Sequence, residues 1–160
     1  MPKIAIDDVP PAQGSDYPPP FRAAAANRLV RDLSSAGGLG DFVATHVVVP
    51  PGGWSSQRHW HEGEDEIVVV LSGEAVLVDD DGAHPMRAGD IAIFPKGDGN
   101  AHHLRNEGAA PCVLFAVSLP ERSPVHYPDI EMRWSPRDGF ADEPHQATGC
   151  SNFSITHSSS

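Results

Sequence analysis

Residues 53–73 read GWSSQRHWHEGEDEIVVVLSG and carry two histidines, His59 and His61, that are separated by one residue. Alternate side chains of a β-strand leave the same face about 7 Å apart. Metal–imidazole bonds are roughly 2.0–2.2 Å long, so two rings at this spacing can converge on one ion. The stretch therefore predicts a strand that contributes two ligands to a metal site.

A carboxylate ligand is expected shortly after the histidines. Glu66 lies five residues beyond His61, so residues 62–65 must turn the chain before Glu66 can face the same interior. Glu62, Glu64 and Asp65 offer the same chemistry. Glu66 is favoured because it opens the apolar run that follows, while its three neighbours are expected in a solvated turn.

A fourth ligand is expected from the segment at residues 89–106, which contains adjacent histidines, His102 and His103. Neighbouring residues on a strand face opposite sides, so only one of the two can easily reach the interior of a barrel. Strand geometry alone leaves the choice between them open.

Both segments resemble the two sequence motifs of the cupin family. The pattern G(X)5HXH(X)3-4E(X)6G is matched by Gly53, His59, His61, Glu66 and Gly73. The pattern G(X)5PXG(X)2H(X)3N is matched by Gly89, Pro95, Gly97, His102 and Asn106. Four residues, 98–101, separate Gly97 from His102 where the second pattern has two. The motifs occur in the family's order, within about half of the chain.

The resemblance implies a ligand set and a cofactor. The spacing from His102 to Asn106 fits the motif, so His102 rather than His103 is the implied ligand, together with His59, His61 and Glu66. One divalent metal ion, Fe, Mn, Ni or Zn, is the implied cofactor. The triplet at residues 102–104 and the triplet at residues 127–129 also resemble small bacterial single-domain cupins of a sugar-phosphate isomerase-like group.

The implied fold is all-β, a single cupin barrel, also called a double-stranded β-helix or jelly roll, with an extended N-terminal arm. Independently of the resemblance, short β-branched and apolar runs occur at residues 42–49, 66–71, 74–78, 91–94 and 112–119. The 15 glycines and 16 prolines suit many short strands joined by turns. The acidic cluster at residues 79–82 predicts a hairpin turn rather than a metal site.

Three regions are expected along the chain. Residues 1–40 are predicted to form a proline-rich arm and a short helix within Ala23 to Leu33, and residues 41–120 the barrel core. Residues 121–160 are predicted to be a C-terminal extension whose last 15 or so residues are disordered.

Charge and composition narrow the partners. A net charge of -11 disfavours nucleic acid and anionic membranes, which attract clustered Lys and Arg. Cys112 lies in an apolar run and is expected to be a buried thiol, whereas Cys150 lies near a polar tail. No signal peptide or long apolar segment is evident, which predicts a cytoplasmic protein. Residues 67–71 are apolar on both strand faces, which predicts a homodimer.

The other polar residues near the motifs are not expected to bind the metal. Gln57 shares the strand parity of His59 and lines either the pocket or the rim, while Arg58 and Trp60 cover an outer face or a subunit contact. Lys96 and Arg105 are candidates for binding an anionic group, but ordinary solvent exposure is the favoured interpretation for both. No ligand role is expected for the remaining histidines, His46, His84, His126, His145 and His157.

Three functions fit a four-ligand site of this kind. Such a site leaves two positions on a six-coordinate ion for a small oxygenated molecule. Lewis-acid isomerisation, epimerisation or elimination is ranked first, and requires a base that the sequence does not identify. An Fe(II)-dependent dioxygenase is the first alternative, and a non-catalytic binding protein for a small molecule is the second.

Overall fold

The chain folds almost entirely into β-strands in a computed structural model that describes residues 3–143. One short helix, α1, interrupts them at Leu33–Gly37, and short 3-10 turns occur at Ile6–Asp8, Ala23–Ala25 and Pro128–Ile130. The strands in chain order are β1 (Ala12–Gln13), β2 (Leu29–Asp32), β3 (Val43–Val49), β4 (Trp60–His61), β5 (Glu66–Ser72), β6 (Glu74–Asp79), β7 (Gly82–Arg87), β8 (Ile91–Phe94), β9 (His103–Arg105), β10 (Cys112–Ser118), β11 (Val125–Tyr127), β12 (Met132–Ser135) and β13 (Gly139–Asp142).

The strands form three antiparallel groups. The largest sheet has the order β1-β2-β3-β10-β5-β8, a second has the order β7-β6-β9, and a third has the order β13-β12-β11-β4. β10 is central to the largest sheet because it pairs along its whole length with β3 on one side and with β5 on the other. Residues far apart in the sequence therefore lie side by side.

The main core lies between the largest sheet and the β7-β6-β9 sheet. Its buried residues come from both: Val49, Val70 and Leu114 from the first, Ala75 and Leu104 from the second. Removing such side chains from water is the main force that holds the two sheets face to face. This arrangement of strands around one core agrees with the predicted all-β barrel.

The strongest strand predictions are confirmed. The predicted runs at residues 42–49, 66–71, 74–78, 91–94 and 112–119 correspond to β3, β5, β6, β8 and β10. The acidic turn is also confirmed, since Asp79 pairs with Gly82 at the end of the β6–β7 hairpin. Cys112 is fully buried, as expected, and burial raises the pKa of its thiol to about 11.

The predicted helix at Ala23 to Leu33 is wrong in its extent. Only a 3-10 turn forms at Ala23–Ala25, Leu29 and Val30 lie in β2, and the α-helix begins at Leu33. β2 pairs with β3, and this tertiary pairing outweighs the helix propensity of the alanine-rich segment. Asp32 caps the helix instead, accepting hydrogen bonds from the backbone N–H groups of Ser34 and Ser35.

The segment after Pro120 adds three strands to the barrel. β11 pairs with β4, which brings the C-terminal segment beside the predicted metal-binding strand. A second apolar cluster contains Val125, Tyr127 and Met132 from this segment and Tyr17 from the N-terminal segment. The disorder predicted for the last 15 or so residues lies outside the described residues.

Gly73 of the first motif has a clear structural reason. Its φ angle is +77°, and a Cβ atom there would lie 2.6 Å from the carbonyl oxygen of Pro111. Only glycine tolerates both the left-handed backbone and this close approach.

No helix in residues 3–143 is long and apolar enough to span a membrane. The cytoplasmic location stays a prediction.

Candidate metal centre

Four side chains meet inside the barrel, and we call them the histidine cluster: His59, His61, Glu66 and His102. One ligand atom from each of His59, His61 and Glu66 lies within 4.8 Å of the others. Nε2 of His102 lies 3.2 Å from Oε2 of Glu66, and Nε2 of His61 lies 3.9 Å from the same oxygen. The structure thus brings together the four residues selected from the sequence.

Backbone pairing fixes the two outer members of the cluster. His59 and His102 form an isolated β-bridge, with hydrogen bonds of 3.0 and 2.8 Å between their backbones. His61 follows on β4, and Glu66 is the first residue of β5. The longer loop at residues 98–101 therefore leaves His102 aimed at the cluster.

Hydrogen bonds orient two of the rings. Nδ1 of His59 lies 2.9 Å from the carbonyl oxygen of Gln57, and Nδ1 of His102 lies 3.2 Å from the carbonyl oxygen of Asn100. A carbonyl can only accept, so each Nδ1 carries a proton, and Nε2 of His59 keeps a free lone pair. This is the orientation that metal-binding histidines need.

Phe94 packs flat against His102. The two ring centroids are 3.4 Å apart and the ring planes differ by 1°. Phe94 belongs to β8 and is buried in the core, so its face holds the imidazole in one plane. The sequence marked Phe94 as a strand residue, and nothing in its spacing pointed to this contact.

The surroundings favour neutral imidazoles at His59 and His61 beside an ionised carboxylate at Glu66. Burial lowers the pKa of His59 to about 3, and the neighbouring histidines act in the same direction. Burial also lowers the pKa of His61. Burial alone would raise the pKa of Glu66, but its hydrogen bond with His102 and the nearby histidines lower it below the ordinary value. These are the protonation states in which both groups donate electron pairs to a metal.

His103, the alternative to His102, lies apart from the cluster. Its Nδ1 is 3.1 Å from the carbonyl oxygen of Ser56, and its ring contacts the Trp54 ring edge-on with centroids 4.5 Å apart. Burial lowers the pKa of His103 to about 4. Both adjacent histidines are buried, but they face different neighbours.

The expectation that Glu64 lies in a solvated turn is wrong. Only 3% of Glu64 is exposed, and its carboxylate accepts hydrogen bonds from the backbone N–H groups of Arg122 and Ser123 and from the Ser123 hydroxyl. Gly63 allows this approach, since a Cβ atom there would lie 2.6 Å from Oγ of Ser123. Oε2 of Glu64 also lies 3.7 Å from Nδ1 of His61, so Glu64 stands directly behind a cluster histidine.

The other two rivals of Glu66 face away from the cluster. Glu62 pairs with His126 at 2.7 Å, and Asp65 accepts a hydrogen bond from the backbone N–H of Lys96. The sequence-based choice of Glu66 among the four acidic residues agrees with this geometry. Glu62 and Asp65 are exposed, as expected for a solvated turn, whereas Glu64 is buried.

The cluster opens into a cavity of about 250 Å³. Much of its wall is apolar and comes from alternate residues of β3, β5 and β10, including Val47, Val68 and Leu114. A further part, which we call the tyrosine wall, consists of Tyr17, Arg28, Glu121 and Tyr127. The ring centroid of Tyr127 is 5.8 Å from that of His59, so the tyrosine wall adjoins the histidine cluster.

The tyrosine wall was missed by sequence reasoning. Its members come from the segments before β2 and after β10, where no motif marks them. Local burial raises the pKa of the Glu121 carboxyl, and the carboxylates of Glu64 and Glu66 raise it further, although much of the Glu121 residue is exposed to solvent. The ring centroids of Tyr17 and Tyr127 are 5.5 Å apart in the fold, and no local sequence pattern predicts this contact.

The remaining residues considered from the sequence have structural roles. Gln57 is buried and donates a 2.7 Å hydrogen bond to the carbonyl oxygen of Phe21, so it anchors the N-terminal segment. Arg58 forms ion pairs with Asp80 and Asp129, and Trp60 stacks on His126 with centroids 4.2 Å apart. Arg105 pairs with Glu107, and Lys96 is exposed.

The other described histidines lie outside the cluster. His84 pairs with Asp79, and His126 bridges Glu62 and Glu143. His46 lies on β3 with a pKa lowered by burial. His145 and His157 fall outside the described residues.

Comparisons with known proteins agree with the fold and the site. The family model described as a cupin domain matches residues 45–118. A crystal structure described as a sugar phosphate isomerase from a cupin superfamily, from Silicibacter pomeroyi, is 38% identical, with a TM-score of 0.82. That match covers 91% of this chain and 98% of the other. The chain belongs to the cupin superfamily.

Two relatives from Thermotoga maritima carry other descriptions. An oxalate-binding protein is 38% identical over 71 residues, a match that covers 44% of this chain and spans only 56% of the relative's length. A solved structure described as a predicted oxalate decarboxylase is 25% identical, with a TM-score of 0.61, and covers 73% of this chain and 97% of the other. The superfamily membership is thus firm, while the relatives differ in what they are said to do.

Proposed function

We propose that the chain is a metal-dependent enzyme that isomerises, epimerises or eliminates within a small oxygenated molecule. A divalent ion, Fe, Mn, Ni or Zn, would be held by His59, His61, Glu66 and His102. The observation that carries the proposal is that His59, His61 and Glu66 bring ligand atoms within 4.8 Å of one another at the wall of a cavity, with Nε2 of His102 3.2 Å from Glu66. The likeness to the Silicibacter pomeroyi protein supports the choice of reaction class.

The donor set suits such an ion. Imidazole nitrogens with one carboxylate are the ligands that Fe, Mn, Ni and Zn accept in proteins. Nδ1 of His61 is buried without a hydrogen-bond partner, 3.7 Å from Glu64. A small shift of the His61 ring would give that nitrogen a carboxylate partner, the arrangement that supports many metal-binding histidines.

The chain's own residues supply the rest of the chemistry. A bound ion would polarise a carbonyl or hydroxyl oxygen of the ligand. Val47, Val68 and Leu114 make part of the cavity wall apolar, which strengthens charge interactions beside it. Glu121 lines the same cavity, and its pKa is raised toward neutral pH. A carboxyl with such a pKa is suited to accept and return a proton.

Metal analysis combined with substrate-dependent oxygen uptake tests this function. Protein purified without added metal is expected to contain about one ion per chain and to convert members of a panel of polyols, sugar phosphates and phenolics without consuming oxygen. Oxygen uptake coupled to substrate loss would replace the proposal by an Fe(II)-dependent dioxygenase. Tight metal binding without turnover on any compound would favour a non-catalytic binding protein.

We also propose that the chain forms a homodimer through the outer face of β5 and β8. Four large apolar side chains lie exposed there: Ile67 (43%), Leu71 (51%), Ile91 (60%) and Ile93 (67%). Contiguous apolar surface of this kind usually marks an interaction site. Light scattering at micromolar concentration is expected to give a dimer that Ile93→Lys disrupts. Leu39→Lys, at an exposed leucine on a different segment, is the control, and a monomeric wild type would contradict the proposal.

A further inference from the structure

Arg28 is held in the cavity wall by two backbone carbonyls. Its Nε donates a 2.9 Å hydrogen bond to the carbonyl oxygen of Gly14, and its Nη1 donates to the carbonyl oxygen of Ser55. A guanidinium carries five N–H donors, so three remain. The side chain is therefore fixed in position and keeps unused donors beside the cavity.

The charge of Arg28 has no carboxylate partner within residues 3–143. Arg58 pairs with Asp80 and Asp129, and Arg105 pairs with Glu107, whereas neutral carbonyls are the acceptors of Arg28. A half-buried cation without a counterion is costly unless something anionic joins it. Arg31 is likewise held by a backbone carbonyl, but Arg28 is the only Lys or Arg among the described residues that line the cavity.

Glu121 is the other charged residue of the tyrosine wall, and it forms no ion pair with Arg28. The carboxylates that act on it are Glu64 and Glu66, and both raise its pKa. Burial raises the pKa values of Tyr17 and Tyr127, Arg28 lowers both, and Glu121 raises both. Arg28 thus stands near two hydroxyl groups in the cavity.

Arg28 is also linked to the histidine cluster by a short path. Ser55 accepts its hydrogen bond, and Oγ of the next residue, Ser56, lies 3.3 Å from Nδ1 of His59. Arg28 and the cluster line the same cavity of about 250 Å³, which is below the range of roughly 300–1,000 Å³ typical of drug-sized ligands. One small molecule can therefore contact both.

We propose that Arg28 binds a terminal oxyanion of the ligand while oxygen atoms at the ligand's other end face the histidine cluster. The substrate class is then a small hydroxy or keto compound that carries one carboxylate or phosphate. The planar guanidinium suits either anion because it can donate two parallel hydrogen bonds. The assignment of the second end rests on the proposed function; the binding of the anion to Arg28 does not.

Calorimetric titration with matched three-carbon probes tests this site. Glycerate, glycerol 3-phosphate and neutral glycerol are titrated into the metal-loaded and the chelator-treated protein. At least one charged probe is expected to bind about 10-fold or more tightly than glycerol, and Arg28→Gln is expected to remove about 10- to 100-fold of that affinity. The stronger of the two charged probes distinguishes a carboxylate from a phosphate ligand.

Matched variants separate this effect from simpler causes. Arg137→Gln removes the same charge at an arginine whose side chain is 93% exposed and is expected to change nothing. Arg28→Lys keeps the charge without the planar fork and is expected to lose less affinity than Arg28→Gln. Equal weakening of glycerol and the charged probes, or no weakening in Arg28→Gln, would overturn the proposal.

Two further readouts keep the result interpretable. If Arg28→Gln fails to fold, the Arg28 Nε–H resonance of the wild-type protein is followed by NMR, and it is expected to shift with glycerate or glycerol 3-phosphate but not with glycerol. An unshifted resonance would refute the site. Anion discrimination that persists in chelator-treated protein would support Arg28 even if metal-dependent turnover were never found.

Discussion

The histidine cluster and the tyrosine wall adjoin each other but come from different parts of the chain. Every residue of the cluster lies within the segment that matches the cupin domain, residues 45–118, and every residue of the tyrosine wall lies outside it. The segment that matches the family model therefore carries all four proposed metal ligands. The flanking segments carry the groups that are proposed to bind the charged end of the ligand.

The largest expected effect concerns the histidine cluster alone. Replacing His59 and His102 together by alanine is expected to weaken metal binding more than about 100-fold, beyond the usual cost of altering a residue that only supports a ligand. Competition with a coloured chelator measures the affinity. His84→Ala, at an exposed histidine that pairs with Asp79, is the control. Unchanged metal content in the double variant would remove the basis of the proposed function.

A second prediction separates the tyrosine wall from the cluster. Glu121→Gln keeps the shape of the side chain but cannot accept a proton, so turnover is expected to fall about 100-fold while metal content stays the same. Steady-state kinetics and metal analysis of one preparation give both quantities. Glu107→Gln, at an exposed glutamate paired with Arg105, should leave both unchanged. A parallel loss of metal would show that Glu121 serves the cluster.

A third prediction concerns the support behind His61. Glu64→Gln removes the negative charge next to Nδ1 of His61, and metal affinity is expected to fall about 10- to 100-fold. Glu62→Gln is the matched control two residues away, because Glu62 pairs with His126. Equal affinities in the two variants would mean that Glu64 only holds residues 122 and 123.

The smallest expected effect is on stability and involves His103, outside the cluster. Its pKa is about 4 in the folded chain and near 6.5 when unfolded, so the unfolded chain binds an extra proton between these values. Its contribution to stability is complete above pH 6.5 and is lost as the pH falls toward 4. Between pH 7 and pH 5, the Tm of metal-free wild type should fall about 4–7 °C more than that of His103→Gln. Equal falls would contradict this.

The sequence revealed the cluster because its chemistry imposes spacing. Two histidines one residue apart, a glutamate that opens a strand and a later histidine each satisfy a local geometric rule, and the motifs joined them. Leu29 and Val30 could not be assigned from local sequence, because their spacing also suits a helix. Pairing with β3 places them in a strand.

Buried polar groups were the harder part. Glu64 reads as a surface residue because its partners are backbone groups of residues 122 and 123, almost 60 positions away. Arg28 and Tyr17 lie in segments whose only visible features are alanines and prolines. Such contacts depend on how distant strands close the barrel, which no short-range pattern encodes.

The hydrogen bonds of Glu64 have a mechanical consequence. They tie the turn between His61 and Glu66 to the backbone immediately after Glu121. A displacement of that turn would therefore also displace Glu121, so the turn and Glu121 are expected to move together. Any motion that admits a ligand is then expected to leave the spacing between Glu66 and Glu121 intact.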